Sequence, residues 1–514
     1  MKRHNLYAAL LLATIGYGCA KGPSASNPTT DVAKLSEAAP KYAQTITAAD
    51  LSKHLYIIAS DEYEGRNTGE KGQKMAAEYI AREFREDGLA GPVKGGANPY
   101  YQTFDLQKSS WGEGHITIGS QKFLMMQDFF PLGSSPFSTE QAIEAVYVTD
   151  AAQIADKSAQ GKLIVTMLGS GAETQNRTRA FAAAAEKAGA KGVAYVMGAE
   201  EYRTMADRYT HRISQPSISQ VSGGSTRPAS IYTTPTVGAA ILGTTPEKLE
   251  QTAATATFKP ASDIKILMSR KSEPLPTENV LGYVEGTDKK DEVIVVTAHY
   301  DHVGVDDSRT GDKIYNGAND DGSGTVAVIE LAEAFAQAKK DGYGPRRSIL
   351  FMTVTAEEKG LLGSEYYANN PIFPLANTVA NVNIDMIGRM DFDNEKKNDS
   401  NYIYVIGADK LSSELHQINE EANQKHVNLR LDYKYNDEKD PNRFYYRSDH
   451  YNFAKHGIPI IFYFNGVHAD YHQPGDEADK IIYESAEKVA RLAFYTTWEL
   501  ANRENRIVVD SNKK

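Results

Sequence analysis

The chain is poor in cysteine. Among 514 residues there is one, Cys19, so the fold cannot rely on an internal disulfide. It is also short of positive charge. The formal net charge of −11 argues against a nucleic-acid partner, because binding a phosphate backbone needs a basic surface. No internal repeat is present. Beyond the first twenty residues no run is long and apolar enough to span a bilayer. What is left is the ordinary composition of a folded protein, with room for two or three domains and a large core.

The N-terminus reads as separate from that fold. Lys2 and Arg3 precede a short apolar stretch, residues 6–15, which the small-residue segment Gly16-Tyr17-Gly18-Cys19 ends. This is an export signal too short to be a membrane span. It resembles a bacterial lipoprotein precursor, cut before Cys19 and lipidated there, with Gly16 standing where such signals usually carry Leu. Residues 1–19 are therefore expected to be a signal peptide. Residues 20–44, small, polar and Pro-containing, are expected to be a flexible tether. The expected location is that of an exported bacterial lipoprotein, facing the periplasm or the cell surface.

Thr47-Ala48-Ala49-Asp50 matches a capping box and starts a helix. A second helix is expected over 71–87, where Met75, Tyr79, Ile80 and Phe84 share one face and Gly88 provides a stop. Residues 100–106 read as an edge strand. Between about 120 and 262 the texture changes to a small αβ module: a strand at Leu163-Ile164-Val165, an Ala-rich helix over 180–188, a strand at 193–196, and a short element near Thr234-Pro235-Thr236-Val237. The segments GKLIV, AGAKGVAYV and TPTV resemble the protease-associated (PA) domain inserted in several exopeptidases. From about 265 onward strands (293–298, 348–355, 379–385, 402–406, 458–464) alternate with helices (323–338, 361–369, 411–424, 484–502). That alternation predicts an α/β fold with a mainly parallel mixed sheet sandwiched by helices. The expected division is a catalytic body of 45–115 and 265–507, interrupted by a PA-like insert at 120–262.

The stretch from Asp291 to Gly324 is where the chemistry concentrates. The β-branched run Val293-Ile294-Val295-Val296 reads as a buried strand, and His299, Asp301 and His302 follow at its carboxyl end. In open α/β sheets ligands bind outside the carboxyl ends of strands. Asp320 (in NDDG), Glu357 and Glu358 (in TAEEKG), Asp385 (in NIDMIG) and His472 (in DYHQPGD) fall at comparable places. Singly, each has a plain structural reading: a turn or N-cap for Asp320, an acidic first turn for Glu357 and Glu358, a strand-end cap for Asp385, a loop for His472. Together and in this order they suggest a metal site, since zinc takes imidazole and carboxylate ligands and a catalytic ion keeps one position open. Strand alternation puts His299 and Asp301 on one side and His302 on the other, which favours His299 as ligand, Asp301 as its orienting partner and His302 as structural.

The motifs AHYDH, GANDDGSG, TAEEKGLLGS, NIDMIGR, RSDHYNFAKHGIPIIF and DYHQPGD resemble the co-catalytic di-zinc aminopeptidase family, peptidase M28 type, over roughly 45–110 and 265–505. The resemblance implies two Zn²⁺ per chain. Asp320 bridges them, His299 and Asp385 complete one seat, and Glu358 and His472 complete the other. It implies a cis peptide bond between Asp320 and Asp321, and peptide substrates. Glu357 is then the general base, and Tyr471 a donor to the developing oxyanion or a packing residue. Arg447 holds a substrate carboxylate or lines the pocket, or forms a surface ion pair. Asp449 steadies a ligand histidine. His450, His456 and His468 are not ligands. The leading expectation is an aminopeptidase. A dipeptidase or carboxypeptidase on the same scaffold, a glutaminyl cyclase-like transferase and a non-catalytic receptor module follow in that order. No nucleic acid is expected to bind, and membrane contact is expected only through the lipid on Cys19.

Overall fold

Val293-Ile294-Val295-Val296 forms the middle of the strand Lys289–His299, and its alternation sorts the four side chains onto two faces. Ile294 and Val296 enter the larger core with the helices Ala48–Ile58, Gly324–Lys340 and Tyr483–Asn502. Val293 and Val295 enter a second cluster with Tyr367 and Phe453, under the helices Leu362–Asn369 and His450–Ala454. Covered on both sides, this strand and its neighbours need no polar face. That is why they read as unbroken apolar runs. The computed structural model that shows this describes residues 32–510, apart from 134, 170, 172–173, 222–226 and 254–256. The signal segment, Cys19 and the first part of the expected tether lie outside the described residues.

The main sheet runs, in spatial order, through Arg430–Asp432, Tyr402–Ile406, Ile460–Phe464, Thr378–Ile384, Lys289–His299, Arg347–Val354, Ile264–Val284, Tyr101–Ile118 and Gln121–Leu124. The four strands from Ile460–Phe464 to Arg347–Val354 are parallel. Outside them the pairing turns antiparallel, apart from the edge pair of Tyr402–Ile406 with Arg430–Asp432. The sheet is thus mixed, as expected, but parallel pairing is confined to its centre and one edge pair and does not predominate. The difference arises in the long strands Tyr101–Ile118 and Ile264–Val284, which alternate buried and exposed positions over much of their length. Such a pattern suits an antiparallel ribbon with one wet face. Over 101–105 the strand Tyr101–Ile118 pairs only with Ile264–Val284 among the described residues, as an edge strand does; farther on its other side takes Ser217–Gln220, from Leu106, and Gln121–Leu124, from His115.

These two strands carry the chain out to a second body. Its five-stranded mixed sheet has the order Phe129–Leu132, Ala229–Thr233, Gly192–Val196, Leu163–Met167, Ala145–Tyr147. Two apolar clusters occupy its opposite faces: Leu163, Val165 and Ala194 point into one, Ile164, Val193 and Tyr195 into the other. The Ala-rich helix is Thr174–Lys187, and Thr234 caps the helix Pro235–Ile241. The helix Ala199–Ser214 has no counterpart in the sequence reading.

The expected tether is contradicted where the structure describes it. Residues Val32–Ala43 form a helix that buries Leu35, Ala39, Tyr42 and Ala43. Leu35, Ala39 and Tyr42 recur at helical spacing, an apolar stripe that the polar, Pro-containing composition hid. The Trp498 indole N–H donates to the Leu35 carbonyl at 3.1 Å, and the Tyr42 ring stacks on Trp498 with centroids 5.9 Å apart. Tyr42 is fully buried, so Tyr42→Ala should lower stability to chemical denaturation by about 3–5 kcal/mol, the range for emptying a large aromatic site. A change within about 0.5 kcal/mol, usual at an exposed position, would mean the helix is not part of the fold.

Candidate metal centre

The four parallel strands end on one rim, and each delivers a group there. Lys289–His299 ends on His299. Arg347–Val354 runs through Thr355 and Ala356 to Glu357 and Glu358, and Thr378–Ile384 is followed directly by Asp385. Ile460–Phe464 leads into the loop that bears Tyr471 and His472. Ala356, Met386 and His472 all sit at positive φ, between 52° and 57°. Left-handed backbone costs a non-glycine residue roughly 1–2 kcal/mol, and its clustering at three turns of one rim marks a place where geometry is imposed.

Asp320 stands at the centre. Its Oδ1 lies 3.2 Å from His299 Nε2, and its Oδ2 lies 3.0 Å from His472 Nε2. Asp385 Oδ2 is 3.7 Å from His299 Nε2, and Glu358 Oε1 is 3.1 Å from His472 Nε2. The donors fall into two groups that share Asp320. One is His299, Asp320 and Asp385. The other is Asp320, Glu358, His472 and also His302, whose Nδ1 lies 2.9 Å from Glu358 Oε1. His302 was expected to face away. The alternation argument fails because the strand stops at His299 and the chain turns, pairing His302 with Asn67 as an isolated bridge.

The frame around Asp320 is largely backbone. The Asp320-Asp321 peptide bond is cis. Asp476 accepts the main-chain N–H groups of Asn319 and Asp320. Asp321 accepts those of His299, Gly324 and Met386, tying two strand-end segments to the start of the helix Gly324–Lys340. Arg66, fully buried, donates to the carbonyls of Ile58, Tyr300, Asn316 and Gly317. Arg66 lies in the polar segment Gly65-Arg66-Asn67-Thr68-Gly69, and Asp476 closes the same DYHQPGD motif as His472. Nothing in a single sequence marks an arginine that serves four carbonyls.

The supporting residues partly differ from expectation. His299 Nδ1 meets the main-chain oxygen of Asp301 at 3.1 Å, and the Asp301 carboxylate is farther, at 3.9 Å. That carboxylate instead accepts the Glu357 N–H at 3.1 Å and the Thr68 hydroxyl at 2.8 Å. Asp449 is buried near His299, Glu357 and Asp385 but makes no hydrogen bond to a ligand imidazole. Asp385 is steadied by the Ser448 hydroxyl at 2.6 Å. His450 pairs with the Tyr445 carbonyl, and His468 lies 4.0 Å from Asp476; neither belongs to a donor group. Arg447 forms no ion pair among the described residues. Its guanidinium donates to the Tyr471 hydroxyl at 3.2 Å and sits over the Phe444 ring.

Electrostatics show what the centre needs. Asp301, Asp320, Asp321, Asp385, Asp449 and Asp476 are buried, and the side chains of Glu357 and Glu358 are at most 12% exposed. Burial and the neighbouring carboxylates of Glu358, Asp449 and Asp385 push Glu357 well above the usual carboxyl range. Burial disfavours the His472 imidazolium, yet Asp320 and Glu358 outweigh it and raise the group to about 10. His299 is likewise raised against burial, by Glu357, Asp385 and Asp320. This much buried negative charge is costly unless cations neutralise it. His302 Nδ1, His472 Nε2, Asp320 Oδ2 and Glu358 Oε1 are all buried without a hydrogen-bond partner. Orphaned imidazole and carboxylate atoms converging within a few ångström are a donor set suited to zinc.

Beside the centre lies a pocket lined by His299, Asp320, Glu357 and Asp385 on its polar side. Met386, Phe444, Phe462, Phe464 and Val467 form its apolar walls, with Arg447 and Tyr471 completing the lining.

Residues 279–497 match the model of Peptidase family M28. The chain is 28% identical over 287 residues to a probable zinc metalloprotease of Pyrenophora teres f. teres (strain 0-1), covering 48% of this chain and 56% of that protein. It is 27% identical over 238 residues to the aminopeptidase YwaD of Bacillus subtilis (strain 168), covering 45% and 46%. The chain thus spans about half the length of these two relatives. Its fold is similar to that of an aminopeptidase from Aneurinibacillus sp. strain AM-1, with a TM-score of 0.54 at 20% identity over 92% of this chain and 98% of that one. The segment that matches this family model holds every residue of both donor groups.

Proposed function

We propose that the chain is a two-zinc exopeptidase that removes the N-terminal residue of peptides. The observation that carries this reading is the pair of donor groups sharing Asp320, with Glu357 beside them and in neither. His299, Asp320 and Asp385 would hold one ion, and Asp320, Glu358 and His472 the other. Ions so placed supply Lewis acidity, polarising a carbonyl and lowering the pKa of a water.

The side chains supply the rest. Glu357 lines the pocket, its Oε2 3.9 Å from His299 Nε2 and its backbone fixed by Asp301. Its carboxylate takes a proton from the attacking water and returns it to the leaving amine. Tyr471 accepts a hydrogen bond from Arg447, so its own O–H proton is free to be donated to the oxyanion that forms on the scissile carbonyl. Arg447 then also acts through Tyr471. The polar side of the pocket is acidic, which suits a substrate ammonium and disfavours a C-terminal carboxylate. The apolar walls suit a large apolar N-terminal side chain.

The smaller body we read as a PA-type insert, on the strength of the GKLIV, AGAKGVAYV and TPTV segments lying on its elements. Export and lipid tethering through Cys19 are proposed from the leader alone.

Aminoacyl substrates with a free α-amine should be cleaved, their N-acetylated counterparts should not, and chelation should abolish turnover. Equal cleavage of blocked substrates in a kinetic panel would sink the aminopeptidase reading. Glu357→Gln should keep two zinc ions by elemental analysis and lose about 10²–10⁴-fold in kcat; retained turnover would remove Glu357 from its role. Zinc uptake should also release protons. With its folded pKa raised to about 10, His472 of the metal-free chain is protonated at neutral pH, whereas zinc binds the neutral ring. Affinity should therefore rise with pH up to about 10 and weaken progressively in acid. Calorimetric titration in two buffers of different ionisation enthalpy measures the protons released, and a count of zero would contradict the charge state described here.

A further inference from the structure

We propose that His302 is a metal ligand, so that the two seats are unequal: the His302 seat is closed and fills first, and the His299 seat keeps the open position. The proposal rests on the two-metal reading above and goes beyond it.

Four atoms converge in the second seat: His302 Nδ1, His472 Nε2, Asp320 Oδ2 and Glu358 Oε1. His302 Nδ1 is 2.9 Å from Glu358 Oε1 and 3.9 Å from Asp320 Oδ2. His472 Nε2 is 3.0 Å from Asp320 Oδ2 and 3.1 Å from Glu358 Oε1. A tetrahedral zinc with bonds of 2.0–2.1 Å separates its donors by about 3.3 Å. The measured spacings scatter around that value. All four atoms are buried and lack a hydrogen-bond partner, so the His302–Glu358 approach is not an aligned hydrogen bond that would make the imidazole a mere prop for the carboxylate.

The ring is also held in place. A Cβ on Gly317, which sits at φ +54°, would come within 2.5 Å of His302 Cγ and Cδ2 and within 2.4 Å of the Asp320 carbonyl oxygen. The loop that delivers Asp320 can therefore close over the ring only with glycine at 317. The His472 ring packs edge-on against it, centroids 5.5 Å apart. His302 is fully buried.

The other seat has three protein donors, His299, Asp320 and Asp385, and all three line the pocket. His302 and Glu358 do not line it, and His472 borders a separate groove. Four protein donors make a closed site, and three leave a position for water or substrate. The seats therefore divide their work. An ion in the His302 seat would be held away from the pocket by His302, His472, Asp320 and Glu358, and one in the His299 seat would be held by the three donors that line it.

The test uses the full chain stripped of metal and given zinc alone. Calorimetry should resolve two steps at least about tenfold apart. With one equivalent bound, zinc X-ray absorption should count two imidazoles, those of His302 and His472. His302→Ala should weaken the tighter step by more than the about 10–100-fold that loss of an outer-shell partner costs, and should reduce the count to one. A count of one imidazole in the unmodified one-zinc chain overturns the proposal without any variant, because it places the first ion on His299 or leaves His302 unbound. Two steps of equal affinity overturn it as well. A chain that takes up no zinc refutes the underlying two-metal reading, and the proposal with it.

Discussion

The structure is organised around one electrostatic constraint. Asp320 lies between His299 and His472 in a protein interior crowded with other carboxyl groups. Its geometry cannot come from its own loop alone. Asp476 accepts the N–H groups on either side of the Asn319-Asp320 bond, and Asp321 joins the start of the central helix to the ends of two strands. Arg66 supplies a permanent positive charge beneath the centre. Burial alone would lower its pKa, and Asp476, Asp301, Asp320 and Asp321 oppose that. Its hydrogen bonds all go to main-chain carbonyls. Four of the five guanidinium N–H groups are thus spent on fixing loops, while the charge acts through space on the acids.

Much of this was legible before any coordinates. The run 293–296, the strand over 379–385 and the final helix were readable because both faces or one clean stripe are apolar, and the structure places them at Lys289–His299, Thr378–Ile384 and Tyr483–Asn502. The groups at the strand ends were readable because parallel strands present their carboxyl ends together. Three things were not. His302 lies past the end of its strand, where the period of two no longer governs direction. The helix Val32–Ala43 hides its stripe in a polar composition, and its value lies in a distant partner, Trp498. The Asp301 carboxylate was assigned to His299, yet the backbone turn puts its main-chain oxygen there and frees the side chain for Glu357 and Thr68.

The last of these links the base to the ligands. Glu357 and Glu358 are adjacent, so one peptide unit determines where the proton acceptor sits relative to the second seat. Asp301 grips that unit at the Glu357 N–H, and the same residue's carbonyl orients His299 in the first seat. Ala356, at positive φ just before Glu357, turns the pair into the rim. A shift of the Asp301 segment would therefore displace a ligand and the base together. Thr68 adds the N-terminal part of the chain to this joint, as Arg66 does to the loop of Asp320. This explains why Arg66 and Thr68, far from the donors in sequence, are buried.

The smaller body meets the same rim from the other side. Its strand Ser217–Gln220 pairs along Tyr101–Ile118, and Gln220 donates to the Leu362 carbonyl at 3.4 Å, at the start of the helix that follows Glu358. A groove lined by Lys108, Gln215, Pro216, Ile218, Lys359 and His472 lies between the two bodies. His472 therefore has two neighbourhoods, donors on one edge and this groove on the other. Its ring is stacked on Tyr471 with centroids 4.0 Å apart, and Tyr471 faces the apolar pocket. The single loop that carries both residues separates pocket from groove. Its backbone, with His472 at positive φ, decides how far either space reaches toward Asp320.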